Sequence, residues 1–249
     1  MNKFIKRFFL LSALIIPTIF VQAIAAYQDD FDGLLKDYVA PAMGDGIDYN
    51  GVDYTAWAKD PRHAKVRDAV LAIDPASLTS KEEKLAYWIN TYNILTIDLI
   101  TRTGEQKSIK DLGNTFSSPW KKYKWEIAGK EYNLNHIEHG IIRKMGEPRI
   151  HFAVNCAAKS CPDLRAEAYR ADKLDAQLTE QANVTLNNET KGFKKEDGNV
   201  IHVTKIMDWY GKDFDGGDLD KWLATYKPDV VNADTKVKFF HYDWSLNKQ

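Results

Sequence analysis

The residues best equipped for chemistry lie in one stretch. His151-Phe152-Ala153-Val154-Asn155-Cys156 runs directly into Ala157-Ala158-Lys159-Ser160-Cys161-Pro162, and this stretch holds both cysteines of the 249-residue chain. A thiolate attacks a carbonyl once a neighbouring base or helix N-terminus lowers its pKa. Cys156 and Cys161 are therefore candidate nucleophiles, with His151 and His139 as candidate bases. Two cysteines five positions apart can instead close a small disulfide loop, worth roughly 2 kcal/mol in the chain-entropy picture. A metal is the third option. His136-Ile137-Glu138-His139 lacks His-Glu-x-x-His spacing, and no Cys-x-x-Cys pair is present. Neither a metal nor another cofactor is expected.

Compartment favours the disulfide. Met1–Arg7 carries Lys3, Lys6 and Arg7 and no acid, Phe8–Val21 is apolar, and Ala23-Ile24-Ala25 supplies small residues for cleavage. Residues 1–25 read as a secretory signal and residues 26–249 as one domain, periplasmic or secreted, with no membrane insertion after cleavage. In an oxidising compartment two lone cysteines usually pair. Removing the signal takes the formal charge from -1 to about -4. No long basic run remains, so nucleic acid is excluded as a partner class. The partner is expected to be a small molecule, a peptide or a protein. Seven Trp and twelve Tyr are enough to build a core or line a groove.

These side chains must be positioned by a mixture of helices and hairpins. Ser80 precedes Glu83 at capping-box spacing and opens a helix from Lys81 to about Thr101. Leu85, Trp88, Ile89, Tyr92, Leu95 and Leu99 share one face, while Ile94, Ile97 and Ile100 make the other side apolar too. Such a helix is buried and central. Shorter helices are expected over Tyr27–Leu35, Arg62–Ile73, Asn135–Met145, Lys173–Asn187, Lys205–Tyr210 and Leu219–Tyr226. Hairpins are expected around Ala128-Gly129-Lys130 and Asp197-Gly198-Asn199. Pro41–Gly51 reads as loop, and Arg149–Asn155 and Val237–Tyr242 as strands. The fold class is α+β, a single domain with a buried central helix packed on a small, mainly antiparallel sheet. Strand alternation over Arg149–Asn155 would turn His151 towards Asn155 and away from Cys156. Asn90 and Asn93 are polar residues on the buried helix and need partners. The expected ligand-binding set is accordingly Asn90, Asn93, His151, Asn155, Ser160 and Arg165.

Five segments in order carry a resemblance: Tyr87-Trp88-Ile89-Asn90-Thr91-Tyr92-Asn93, Ile137-Glu138-His139, His151–Cys156, Cys161-Pro162 with Leu164-Arg165, and Tyr242-Asp243-Trp244-Ser245-Leu246-Asn247. From about Tyr49 to Asn247 the chain resembles the domain of unknown function 547 family. The resemblance implies a fold and a set of positions rather than a reaction. A distant similarity of layout to papain-like and transglutaminase-like folds is an analogy of fold alone. In those folds the nucleophile opens the central helix, whereas Lys84–Asn93 contains no cysteine. Two functions are open: a ligand- or protein-binding module with a structural Cys156–Cys161 bridge, or a Cys/His-dependent hydrolase or acyl transferase acting on a peptide-like or thioester substrate.

Overall fold

The computed structural model describes residues 12–249, with side chains from residue 22 onward. Met1–Arg7 and the side chains of the apolar run Phe8–Val21 lie outside the described residues. Among the described residues no helix is long and apolar enough to cross a membrane.

The fold is α+β. In chain order it comprises α1 (Ser12–Tyr38), β1 (Val39–Gly44), β2 (Ile47–Val52), α2 (Tyr54–Trp57), α3 (Pro61–Ala72), α4 (Lys81–Thr103), α5 (Pro119–Lys122), β3 (Trp125–Ile127), β4 (Lys130–Tyr132), α6 (Leu174–Asn187), β5 (Phe193–Glu196), β6 (Val200–Val203), α7 (Lys205–Trp209), α8 (Leu219–Ala224) and β7 (Lys236–Phe239). β1–β2 and β3–β4 are separate antiparallel hairpins; β5–β6–β7 adds a parallel pairing of β7 to β6.

α4 is the axis of the molecule. Its start is the expected capping box: Ser80 Oγ accepts from Glu83 N–H, and Glu83 accepts from Ser80 N–H. Gly104, at φ 66°, closes it in the left-handed conformation that glycine adopts without strain. Every residue from Leu85 to Ile100 is buried. Its nearest neighbours are α2, α3 and the helical turns around residues 136–142 and 171–173, so the small sheets lie around this helical centre instead of under it. Tyr27, Phe31, Leu34 and Leu35 of α1 recur at helical spacing and join the same core. A second core gathers Phe152, Leu186, Phe193, Ile201, Val203, Phe214, Trp222 and Leu223 between α6, the three-stranded sheet and α8.

Two local expectations are corrected. Pro41–Gly51 is mostly hairpin, turned by Asp45-Gly46 with both residues at positive φ, as a two-residue hairpin turn requires. Arg149–Asn155 is no strand. Pro148–Phe152 forms a 3-10 helical turn, with Pro148 in its first turn and Glu147 Oε1 accepting from Arg149 N–H. The apolar run then passes into loop. Its backbone is satisfied by side chains of α4 where a strand would need a neighbouring strand: Asn93 Oδ1 accepts from Asn155 N–H (2.8 Å) and Asn93 Nδ2 donates to Ala153 O (3.0 Å).

Candidate functional site

A cleft of about 240 Å³ opens where the first core, the second core and the C-terminal tail meet. α4 contributes Tyr92, and the 3-10 turn contributes His151. The loop after it brings Cys156 and Cys161. Glu138 and His139 come from a π-helical segment, His136–Ile142, whose wide turn is fixed by a bond from Arg143 N–H to Glu138 O, five residues back. Such wide turns are rare and concentrate at functional sites. Trp120 of α5, Trp209 of α7, Tyr210, Tyr242 and Trp244 complete the walls.

His151 is held from behind. Its Nε2 lies 2.8 Å from Asp213 Oδ2. Arg143 grips the same carboxylate through Nε and Nη2 at 2.6 and 2.9 Å, and its Nη1 lies 3.2 Å from His139 Nδ1. With a carboxylate accepting at Nε2, the neutral ring carries its proton there and keeps its lone pair on Nδ1. Burial lowers the His151 pKa, outweighing the opposite pull of Asp213. The Arg143 guanidinium holds the Asp213 carboxyl below the usual range. The imidazole stacks on Tyr210 at 4.2 Å between centroids, and Tyr210 donates its hydroxyl to Glu138 Oε1 at 2.9 Å.

The two cysteines are free, which corrects the expected disulfide. Their sulfurs stand 3.1 Å apart, with the Cys156 thiol donating to Cys161, whereas a disulfide bond spans about 2.05 Å. The loop is closed without a covalent staple. Cys156 N–H donates to Cys161 Sγ (3.0 Å), Asn155 Nδ2 donates to Pro162 O (2.8 Å), and the buried Lys191 ammonium donates to Cys161 O (2.9 Å) and to Asp163 (2.7 Å). Ala157 sits at φ 62°, a strained setting for a residue with a Cβ, and is held there by a bond from its N–H to Asn155 Oδ1. Burial opposes charge on Cys161, but the Cys156 thiol and backbone N–H, the Tyr242 hydroxyl and the Lys191 ammonium together favour its thiolate. The Cys156 thiol is pushed up by the adjacent Cys161 sulfur and by burial. Tyr242 OH lies 3.1 Å from Cys156 Sγ, and among the described residues no imidazole is a hydrogen-bond partner of either sulfur. Cys156 is the more exposed of the two.

Residues 75–184 match the model of the family described as Protein of unknown function, DUF547. This segment is similar to the DUF547 family. No curated protein and no solved structure matches the chain. The DUF547 segment supplies Tyr92, Trp120, Glu138, His139, His151, Cys156 and Cys161 to the cleft. The wall formed by Trp209, Tyr210, Tyr242 and Trp244, together with Asp213, comes from the chain that follows it.

Of the residues singled out from sequence, Cys156, Cys161, His151 and His139 line one cleft. The other five sit outside its lining. Asn90 exchanges two bonds with the backbone of Tyr169, both at 2.8 Å, as Asn93 does with Ala153 and Asn155. Asn155 caps the cysteine loop, Ser160 Oγ accepts from Asp243 N–H, and Arg165 pairs with Glu167 and Glu180. Glu138, Tyr210 and Asp213 escaped sequence reasoning as site residues. Glu138 had a usable signal, a carboxylate beside a histidine within a resemblance motif. Asp213 had none, being 62 residues from its partner. Among the described residues no group of three or more His, Cys, Asp or Glu is placed to hold a metal ion.

Proposed function

We propose that this protein is an exported, thiol-dependent hydrolase or acyl transferase acting on a peptide-like or thioester carbonyl. The observation that carries the reading is one cleft holding an unbonded thiol pair and an imidazole oriented by a carboxylate. The strand alternation that would separate His151 from Cys156 does not apply to a 3-10 turn followed by loop.

Cys156, the more exposed sulfur, attacks the carbonyl carbon as its proton passes to Cys161, to which it is already hydrogen bonded. Collapse of the tetrahedral intermediate expels the leaving group, which takes that proton from Cys161, and leaves a thioester on Cys156. Water, or another acceptor, then attacks the thioester while His151 Nδ1 takes its proton. The departing Cys156 thiolate recovers a proton from the imidazolium, which Asp213 stabilises meanwhile.

Intact-protein mass spectrometry after exposure to p-nitrophenyl acetate and to a panel of acyl thioesters tests the reading. A single acyl adduct on Cys156, absent from Cys156→Ser, supports it. The step should fall about a thousandfold or more in that variant. No adduct with any acyl donor would sink it. Export rests on residues 1–25 and is checked by fractionating cells and sequencing the mature N-terminus.

The second reading is a ligand-binding module without chemistry. It is favoured by the absence, among the described residues, of any imidazole hydrogen bonded to the thiols and by the aromatic walls. Saturable ligand binding with no acyl adduct would select it.

A further inference from the structure

Charge in the cleft is unbalanced. Among the residues that line it there is one carboxylate, Glu138, and neither a lysine nor an arginine. Arg143 and Asp213, behind His151, cancel each other through their bidentate pair. Glu138 is buried; its carboxylate accepts from the Tyr210 hydroxyl, a neutral donor, at 2.9 Å, and the nearest histidine nitrogen, His139 Nδ1, stands 3.9 Å from it. Among the described residues no lysine or arginine pairs with Glu138; a buried carboxylate without a permanent cation is costly, and a charged partner entering from solvent would relieve that cost.

The walls suit the same partner. Trp209 stacks on Trp244 with centroids 5.7 Å apart, Tyr242 lies 4.6 Å from Trp244, and Trp120 meets Trp244 edge-on at 5.7 Å. Ring faces attract cations within about 6 Å. The rim already shows the effect, since the Lys110 ammonium sits 5.1 Å from the Trp244 centroid. Trp209 remains 43% exposed, so its ring is open to solvent at the cleft wall.

We infer that the cleft binds an ammonium group, primary or quaternary, between the Trp209–Trp244 wall and the Glu138 carboxylate. Resting on the thiol reading, this names the substrate class: acyl compounds in which an ammonium group lies near the reacting carbonyl. Binding itself requires no reaction.

Tryptophan fluorescence titrated at constant ionic strength tests it, with tetramethylammonium and choline as probes and 3,3-dimethyl-1-butanol as the uncharged isostere of choline. Saturable quenching by both cations, with the alcohol at least tenfold weaker, is the expected result. Glu138→Gln should weaken the cations by about tenfold and leave the alcohol unchanged. Trp209→Ala, at a half-exposed position, should weaken the cations even if Glu138→Gln fails to fold. Equal responses to cation and alcohol, or undiminished cation binding in Trp209→Ala, would overturn the inference. Cys156→Ser separates the two proposals. It should bind the cations like the parent while forming no acyl adduct. Acylation without cation binding would remove this inference alone, and cation binding without acylation would remove the thiol chemistry alone.

Discussion

At the scale of single residues, Asp213 has the largest consequence for the smallest change. Its carboxylate fixes the His151 tautomer at Nε2 and neutralises Arg143 at the same time. In Asp213→Asn the imidazole loses the anion that favours its protonated form, and Arg143, 3.2 Å from His139, is left without its carboxylate. Both changes disfavour imidazolium, so the His151 pKa, already lowered by burial, should fall further. Hydrolysis of an acyl-Cys156 thioester should slow by about 10²- to 10⁴-fold, the range for losing a positioned acid–base group, while its formation is much less affected. Two-dimensional NMR of the labelled imidazoles reads the titration, and single-turnover kinetics separates the two half-reactions. An unchanged or raised His151 pKa would show that Asp213 does not govern this ring.

At the scale of elements, the buried amides of α4 act as splints. Asn93 satisfies one N–H and one C=O of a loop that has no neighbouring strand, and Asn90 does the same for Tyr169. Asn93→Ala would leave two buried backbone groups unpaired, at roughly 1–3 kcal/mol each. Chemical denaturation should therefore show a loss of at least about 2 kcal/mol. Because Cys156 follows Asn155 directly, its alkylation rate should change in the same variant under native conditions. A variant as stable as the parent would mean that water replaces the amide. This element also marks what sequence can disclose. α4 was legible because its cap, length and apolar faces are local properties, and the hairpins turned at Ala128-Gly129 and Asp197-Gly198 were legible for the same reason. The β1–β2 hairpin had its own signal, Asp45-Gly46, but Pro41 and weak alternation masked it. The 149–155 segment was misread because a short apolar run looks alike in a strand and in a buried turn; Pro148 and the amide of Asn93, 60 residues away from Ala153, decide the outcome. The cleft was legible in its thiols and histidines. Its carboxylate partner and aromatic wall arrive by tertiary folding from residues 209–244.

At the scale of the whole molecule, buried titratable groups place an upper and a lower pH limit on stability. His151 has a folded pKa depressed by burial below its ordinary 6.5. Below 6.5 the unfolded chain binds the proton more readily than the folded one, so stability falls as pH drops from 6.5 towards the folded value. Asp213, lowered by Arg143, and Glu83, lowered by the Ser80 backbone N–H, add a second loss below their ordinary values of 3.8 and 4.5. The alkaline side has the opposite sign. Burial raises the phenols of Tyr54, Tyr92 and Tyr242 well above 10, and pushes Tyr27 up to about 12. Above pH 10 the unfolded chain releases these protons first, so stability falls as pH rises towards the folded values. Guanidinium denaturation midpoints should therefore be highest between the acid and alkaline losses, with a gentle acid shoulder below pH 6.5, a steeper acid limb, and an alkaline limb to which the raised Cys156 thiol adds from about pH 9. His151→Gln should remove the shoulder below pH 6.5 and leave the steeper acid limb in place. Phenolate absorbance at alkaline pH should rise for these buried phenols only as the protein unfolds. Their titration near pH 10 in a protein still folded by circular dichroism would show that the core around α4 and the C-terminal tail admits water.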